Sequence, residues 1–130
     1  MSVYNVGLIG CGYMGQAHLT DCCSQENIRI YAVCDHNQQR ADDAAEQYRP
    51  EKVYYDAAEL IDDPQVDIVI IATYPSSHLP LLKMCLAKGK HVLCEKPITG
   101  DLASGKEFLN LVKENPQCKV LVGHILRHND

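Results

Sequence analysis

Residues 67–72 read DIVIIA, and after the leading aspartate no polar side chain interrupts the run. A strand apolar on both faces is stable only where both faces are covered, as in a parallel sheet enclosed by helices. The rest of the chain is patterned to supply such an enclosure. Short aliphatic and β-branched runs at 3–9 (VYNVGLI), 28–34 (IRIYAVC), 53–55, 91–94 (HVLC) and 119–122 (KVLV) predict five further strands. Between them, 13–24, 38–48, 56–61, 77–88 and 101–114 predict helices, the last with an apolar stripe of Leu102, Phe108, Leu109 and Val112. Gly89 stands at a C-cap position and Pro116 closes the last helix. Strict strand–helix alternation demands right-handed crossovers. The predicted fold class is therefore α/β: a doubly wound parallel sheet of the Rossmann type, about six strands in the order 3-2-1-4-5-6.

The 130 residues carry no internal repeat and no linker, and 46% are hydrophobic against 22% charged. That balance excludes collagen-like, low-complexity and disordered chains, because enough apolar surface is present to offset the entropy of ordering. No run approaches the roughly 20 apolar residues of a membrane span, and the start MSVYNVGLIG has no basic leader, so a cytoplasmic address is expected. Net charge is −5, from 12 Lys and Arg against 17 Asp and Glu, with no basic stripe. Neither nucleic acid nor a membrane surface is an expected partner. The seven cysteines show no CxxC or Cys/His spacing and sit mostly in apolar runs. A disulfide framework and a bound metal are both unexpected, and a reducing compartment fits.

The loop Gly10-Cys11-Gly12-Tyr13-Met14-Gly15 matches GxGxxG in the one context where that pattern has a mechanism: directly after a strand and opening a helix. Gly10 permits the tight turn, Gly12 lets backbone approach a pyrophosphate, and Gly15 lets the helix pack on the strand. The free amides and dipole of the first helical turn then hold the phosphates. No GK[ST] follows, which argues against a triphosphate-binding loop. Asp35 ends the second strand 20 residues after Gly15. Two readings stand for it: a carboxylate accepting from both hydroxyls of an adenosine ribose, or the start of the next turn with Asn37 as helix cap. The first favours NAD over NADP, because a carboxylate repels a 2′-phosphate. Arg40 either reaches a phosphate or is a solvated helix residue beside Asp42 and Asp43, the reading its neighbours favour. Cys11 lies at a helix N-terminus, where thiols can be activated, yet it reads more simply as apolar filler.

Ligands of such sheets bind beyond the carboxyl ends of the strands. The strand at 67–72 delivers Thr73 to His78 to that edge, where Ser76 or Ser77 is expected to cap the following helix. His78 either touches the cofactor or is structural. The strand at 91–94 delivers Glu95, Lys96 and Pro97. Pro97 holds Lys96 extended. A lysine there either is a surface residue or donates to a reacting oxygen during hydride transfer.

VGLIGCGYMGQAH, VCD, DIVIIAT followed by SSH, and above all GKHVLCEKP resemble the amino-terminal domain of the Gfo/Idh/MocA oxidoreductases over essentially the whole chain. The resemblance implies NAD(P)-dependent oxidation of a hydroxyl on a sugar, cyclitol or related polyol. It implies that Gly10, Gly12 and Gly15 form the phosphate loop and that Asp35 is the ribose ligand. Thr73 and His78 would line the nicotinamide side, Glu95 and Pro97 would contact cofactor, and Lys96 would be catalytic, assisting proton transfer. Arg127 would be the arginine that precedes a second domain. Tyr74, inserted before Pro75, departs from the family pattern and would reshape the nicotinamide edge. The second domain supplies the substrate site and the principal His acid/base, and His124 and His128 do not match it. Residues 1–123 are thus expected to be the dinucleotide-binding domain and 124–130 the start of a connection to a substrate-binding domain. Such a chain is expected to bind cofactor without turnover and to form a homo-oligomer. The alternatives are a non-catalytic dinucleotide sensor and a domain that only assembles others.

Overall fold

The computed structural model describes residues 3–95 and 102–122. Six strands, β1 (Tyr4–Ile9), β2 (Ile28–Cys34), β3 (Lys52–Tyr54), β4 (Ile68–Ile71), β5 (His91–Cys94) and β6 (Val120–Val122), form one sheet. Its order is β3-β2-β1-β4-β5-β6, with every pairing parallel, as predicted. The helices are α1 (Tyr13–Cys23), α2 (Gln38–Tyr48), α3 (Ala57–Asp62), α4 (Pro75–Ala87) and α5 (Leu102–Glu114).

Alternation along each strand builds two cores. Val6, Leu8, Val33, Ile70 and Leu93 pack on one face against Leu19 and Cys22 of α1 and Ala44 of α2. Their neighbours Ile9, Ala32, Cys34, Val69, Ile71, Val92 and Cys94 face Leu60 and Ile61 of α3, Leu82 and Cys85 of α4, and Phe108 of α5. The run at 67–72 is apolar throughout because β4 is covered from both sides. The winding reverses once, where the chain leaves β3 and returns to the far side of β1 as β4, and this switch point opens at the carboxyl ends of β1 and β4.

Two local expectations are corrected. Helix α4 begins at Pro75, with Tyr74 at the N-cap and no capping side chain, so neither Ser76 nor Ser77 caps it. Proline suits the first helical position, where its missing N–H costs nothing, and the helix therefore starts earlier than the serines suggest. Ser77 Oγ lies one turn in and donates to the Tyr74 carbonyl at 2.8 Å. On α5, Phe108 and Val112 face the core as expected, but Leu109 is 55% exposed and Leu111 takes its place, giving i, i+3 and i+4 spacing; the Leu102 side chain lies outside the described residues. Asn37 does cap α2, accepting from the Arg40 N–H at 3.2 Å. All seven cysteines are free thiols, and only Cys23 is exposed.

Candidate functional site

A cavity of about 730 Å³ runs along the carboxyl ends of β1 to β4, within the range that small-molecule sites occupy. The glycine loop forms its centre. Gly10 has φ +103, and a Cβ there would lie 2.4 Å from the Ala72 carbonyl oxygen. A Cβ on Gly15 would lie 1.8 Å from the Gly10 carbonyl oxygen. The protein's own packing therefore demands both glycines. Gly12 is different: a Cβ there would meet nothing closer than Arg40 Nη1 at 3.9 Å, and its φ of −79 is ordinary. No side chain caps α1 behind it, and the helical ladder opens with Gln16 N–H to the Gly12 carbonyl at 3.0 Å. The amides of Tyr13, Met14 and Gly15 stand outside that ladder, at the positive end of the helix dipole. Space and donors at Gly12 are thus kept for something other than the fold.

Asp35 lies beside this loop, its side chain 6% exposed. Its Oδ2 accepts from the Cys11 N–H at 2.9 Å and its Oδ1 from the Asn37 N–H at 2.9 Å. The turn reading holds, since Asp35 starts the turn into α2, and the residue also borders the cavity. A carboxylate offers about four acceptor positions, so two remain for a pair of vicinal hydroxyls. The bond to Cys11 also means that the acid of β2 fixes the glycine loop of β1, a long-range tie that spacing alone does not reveal. His36 is almost fully exposed, with Nδ1 3.8 Å from Asp35 Oδ1. Arg40 is an exposed residue of α2, in keeping with its reading as a solvated helix residue, and its side chain also borders the cavity near Gly12.

On the β4 side the cavity is bordered by Thr73, Tyr74, Ser76 and Ser77. Tyr74 is 77% exposed and Tyr13, across the loop, 88%. His78 does not border the cavity. It is fully buried, and its Nε2–H donates to the Thr73 carbonyl at 2.9 Å, so it fixes the wall from behind. Met14 is half-buried and Cys11 and Gly15 are buried; none of their side chains lines the space. Burial, with the nearby Asp35 charge, pushes the Cys11 thiol up to about 12, and its Sγ donates to the Cys34 carbonyl at 3.4 Å. That disposes of an activated thiol in the loop.

Glu95 is 7% exposed and pairs through Oε2 with Nε2 of the fully buried His18 on α1. The pair links α1 to the end of β5. Neither member borders the cavity. Lys96, Pro97, His124, Arg127 and His128 lie outside the described residues. Sequence reasoning missed the His18–Glu95 pair, and also Tyr55 and Ala57, which border the cavity just past β3. An aromatic residue directly after a parallel strand was the available signal, since that edge is where ligands bind.

Residues 4–124 match a family described as "Oxidoreductase family, NAD-binding Rossmann fold". The chain is 33% identical over 109 residues to the myo-inositol 2-dehydrogenase of Thermotoga maritima, covering 84% of this chain and 33% of that protein. It is 40% identical over 95 residues to inositol 2-dehydrogenase 2 of Saccharopolyspora erythraea, covering 72% of this chain and 28% of that one. Among solved structures, an NAD binding oxidoreductase from Klebsiella pneumoniae superposes with a TM-score of 0.85 at 33% identity, over 94% of this chain and 34% of that one. The chain spans about a third of the length of these relatives. An open glycine loop, a carboxylate at the end of β2 and the 3-2-1-4-5-6 sheet agree with the family match, and the chain belongs to the Gfo/Idh/MocA oxidoreductases as an NAD-binding Rossmann domain.

Proposed function

We infer that this chain is the cofactor-binding part of an NAD-dependent dehydrogenase acting on a CH–OH group of a cyclitol, sugar or related polyol. The observation that carries the reading is the open Gly12, flanked by the Asp35 carboxylate that ties the loop down. The nicotinamide cofactor would supply the hydride acceptor. Amides at the start of α1 hold its phosphates, and Asp35 takes the ribose diol and repels a 2′-phosphate. Thr73 and Tyr74 lie on the nicotinamide side, Thr73 held by His78. Glu95, paired with His18, anchors the chain just ahead of Lys96, which we assign to proton transfer at the reacting oxygen; Pro97 and Arg127 complete the cofactor contacts. The polyol class is supported by the names of the inositol dehydrogenases to which the chain is similar. Substrate-binding residues belong to a second domain joined through 124–130, and 1–123 alone binds cofactor without turnover.

Calorimetry of this chain with NADH and NADPH is the direct test. NADH is expected to bind at least about tenfold more tightly, a difference of roughly 1.4 kcal/mol. No heat from either dinucleotide overturns the reading, and equal affinities overturn the role of Asp35. In the full-length enzyme, Lys96→Ala lowers turnover by roughly 10²- to 10⁴-fold while NADH affinity holds; undiminished turnover removes Lys96 from the chemistry.

The free and mostly buried thiols support a reducing, cytoplasmic setting, which recovery of the native protein with disulfides would contradict. Among the described residues no helix is long and apolar enough to cross a membrane. Self-association is supported by edge strand β6, where Leu121 is 53% and Val122 37% exposed. A single-chain mass by light scattering at high concentration overturns it.

A further inference from the structure

The sheet order dictates which end of the cavity takes which half of a dinucleotide. With phosphates on the loop after β1 and a ribose on Asp35 after β2, the base must lie further toward β3, and the other half toward β4. At the β3 end the cavity is bordered by Arg40, Tyr55 and Ala57. Tyr55 sits between the end of β3 and Asp56, whose side chain caps α3 by accepting from the Ala58 N–H at 3.0 Å, so its backbone is fixed on both sides. Its ring is 40% exposed, and its hydroxyl donates to Asp42 Oδ1 of α2 at 2.6 Å. That bond, made at the cavity's margin, ties the loop after β3 to the helix that carries Arg40. The Asp42 carboxylate also holds the Tyr55 phenol above its ordinary range, the hydrogen bond being the larger cause and partial burial the next.

We propose that Tyr55 is the stacking wall for the adenine of the bound dinucleotide and that Asp42, which does not border the cavity, is the positioning residue that holds the ring in place. A free phenol at the surface samples several rotamers. One latched to α2 presents its face without losing that freedom on binding, and the gain is preorganisation. The proposal rests on the dinucleotide reading above and adds to it two residues that the glycine loop and Asp35 do not imply.

The test is calorimetry of the chain and its variants with NADH and with ADP-ribose, which lacks nicotinamide. Tyr55→Ala should weaken both ligands equally, by about 5- to 150-fold, the range one base stacked on one aromatic ring supplies. Tyr55→Phe and Asp42→Ala keep the ring but free it, and each should cost roughly 3- to 10-fold. The two together should cost no more than either alone, because they break one bond. Asp42→Asn keeps an acceptor for the phenol and should restore affinity, a rescue that a general loss of stability would not show. Unchanged ADP-ribose affinity in Tyr55→Ala overturns the proposal. So does a loss confined to NADH, or additive losses in the double variant. Failure of the unmodified chain to bind NADH overturns the dinucleotide reading itself and is thereby told apart.

Discussion

Two glycines of one loop, three residues apart, answer to different masters. A Cβ on Gly15 would penetrate the Gly10 carbonyl at 1.8 Å, where backbone meets backbone and neither can yield. A Cβ on Gly12 has 3.9 Å of clearance and an ordinary φ. Gly15→Ala should therefore destabilise the fold by about 3 kcal/mol or more, seen as a lowered urea midpoint. Gly12→Ala should leave that midpoint within roughly 0.5 kcal/mol while NADH affinity collapses. Equal stability losses in the two variants would mean that Gly12 too serves packing, and the space above it would lose its functional reading. The loop's location was legible from GxGxxG between a strand and a helix, because that motif is local. The motif also assigned each glycine its role, Gly12 to the ligand and Gly15 to packing, and the clearances agree with that assignment. What the motif did not reveal is the long-range part of the loop's surroundings: Ala72 pressing on Gly10 and Arg40 bordering the space at Gly12.

At the scale of elements, strands and helices were readable because period-2 and period-3.6 patterns are carried by neighbouring residues. The β4 run and the split of Val69 and Ile71 from Ile70 show the strand pattern directly. Ties between elements were not readable. Lys90, ahead of β5, buries its ammonium to donate to the Asp63 and Val66 carbonyls at 2.8 and 2.6 Å, holding the turn into β4. Nothing local in GKH announces that. Tyr54, the last residue of β3, donates to Asp63 Oδ2 just beyond α3 at 2.7 Å. This bond pushes the Tyr54 phenol up to about 12, with burial adding to it. For Asp63 burial acts upward, but the donors Tyr54 and Gln65 outweigh it, and the carboxyl lies below its usual range. The signs then fix two windows. Tyr54 titrates later folded than unfolded, so its contribution is complete below pH 10 and is lost as pH rises toward 12. Asp63 contributes above its unfolded pKa and is lost as pH falls through its lower folded value. Ultraviolet titration should show a tyrosine ionising near pH 12 that is absent in Tyr54→Phe. An unaltered alkaline curve in that variant would show that β3 and α3 are not joined through this phenol.

For the whole molecule, the cavity is where the two helical layers are closest to sharing a ligand. It is bordered by Gly12 and Asp35 on the loops into α1 and α2 and by Arg40 in the first turn of α2, and by Tyr55 and Thr73 on the loops into α3 and α4 and Ala57 at the start of α3. A dinucleotide bound there would bridge four loops that the sheet holds only at their roots. The β5–α5–β6 portion contributes no described residue to that border. Binding should therefore stiffen one half of the sheet edge more than the other. Ligand that binds only the folded chain stabilises it by about 2.7 kcal/mol at a free concentration of one hundred times its Kd. For a domain of this size, with unfolding entropy scaled by length, that raises Tm by about 10 °C. Hydrogen exchange should slow at 10–15, 35–40, 55–57 and 73–77 and change least at 102–122, because local opening is suppressed where the ligand bridges loops. A Tm shift with uniform protection would mean the ligand merely raised global stability. Slowed exchange concentrated at 102–122 would place it at the opposite end of the sheet, where no glycine loop or ribose acid waits to receive it.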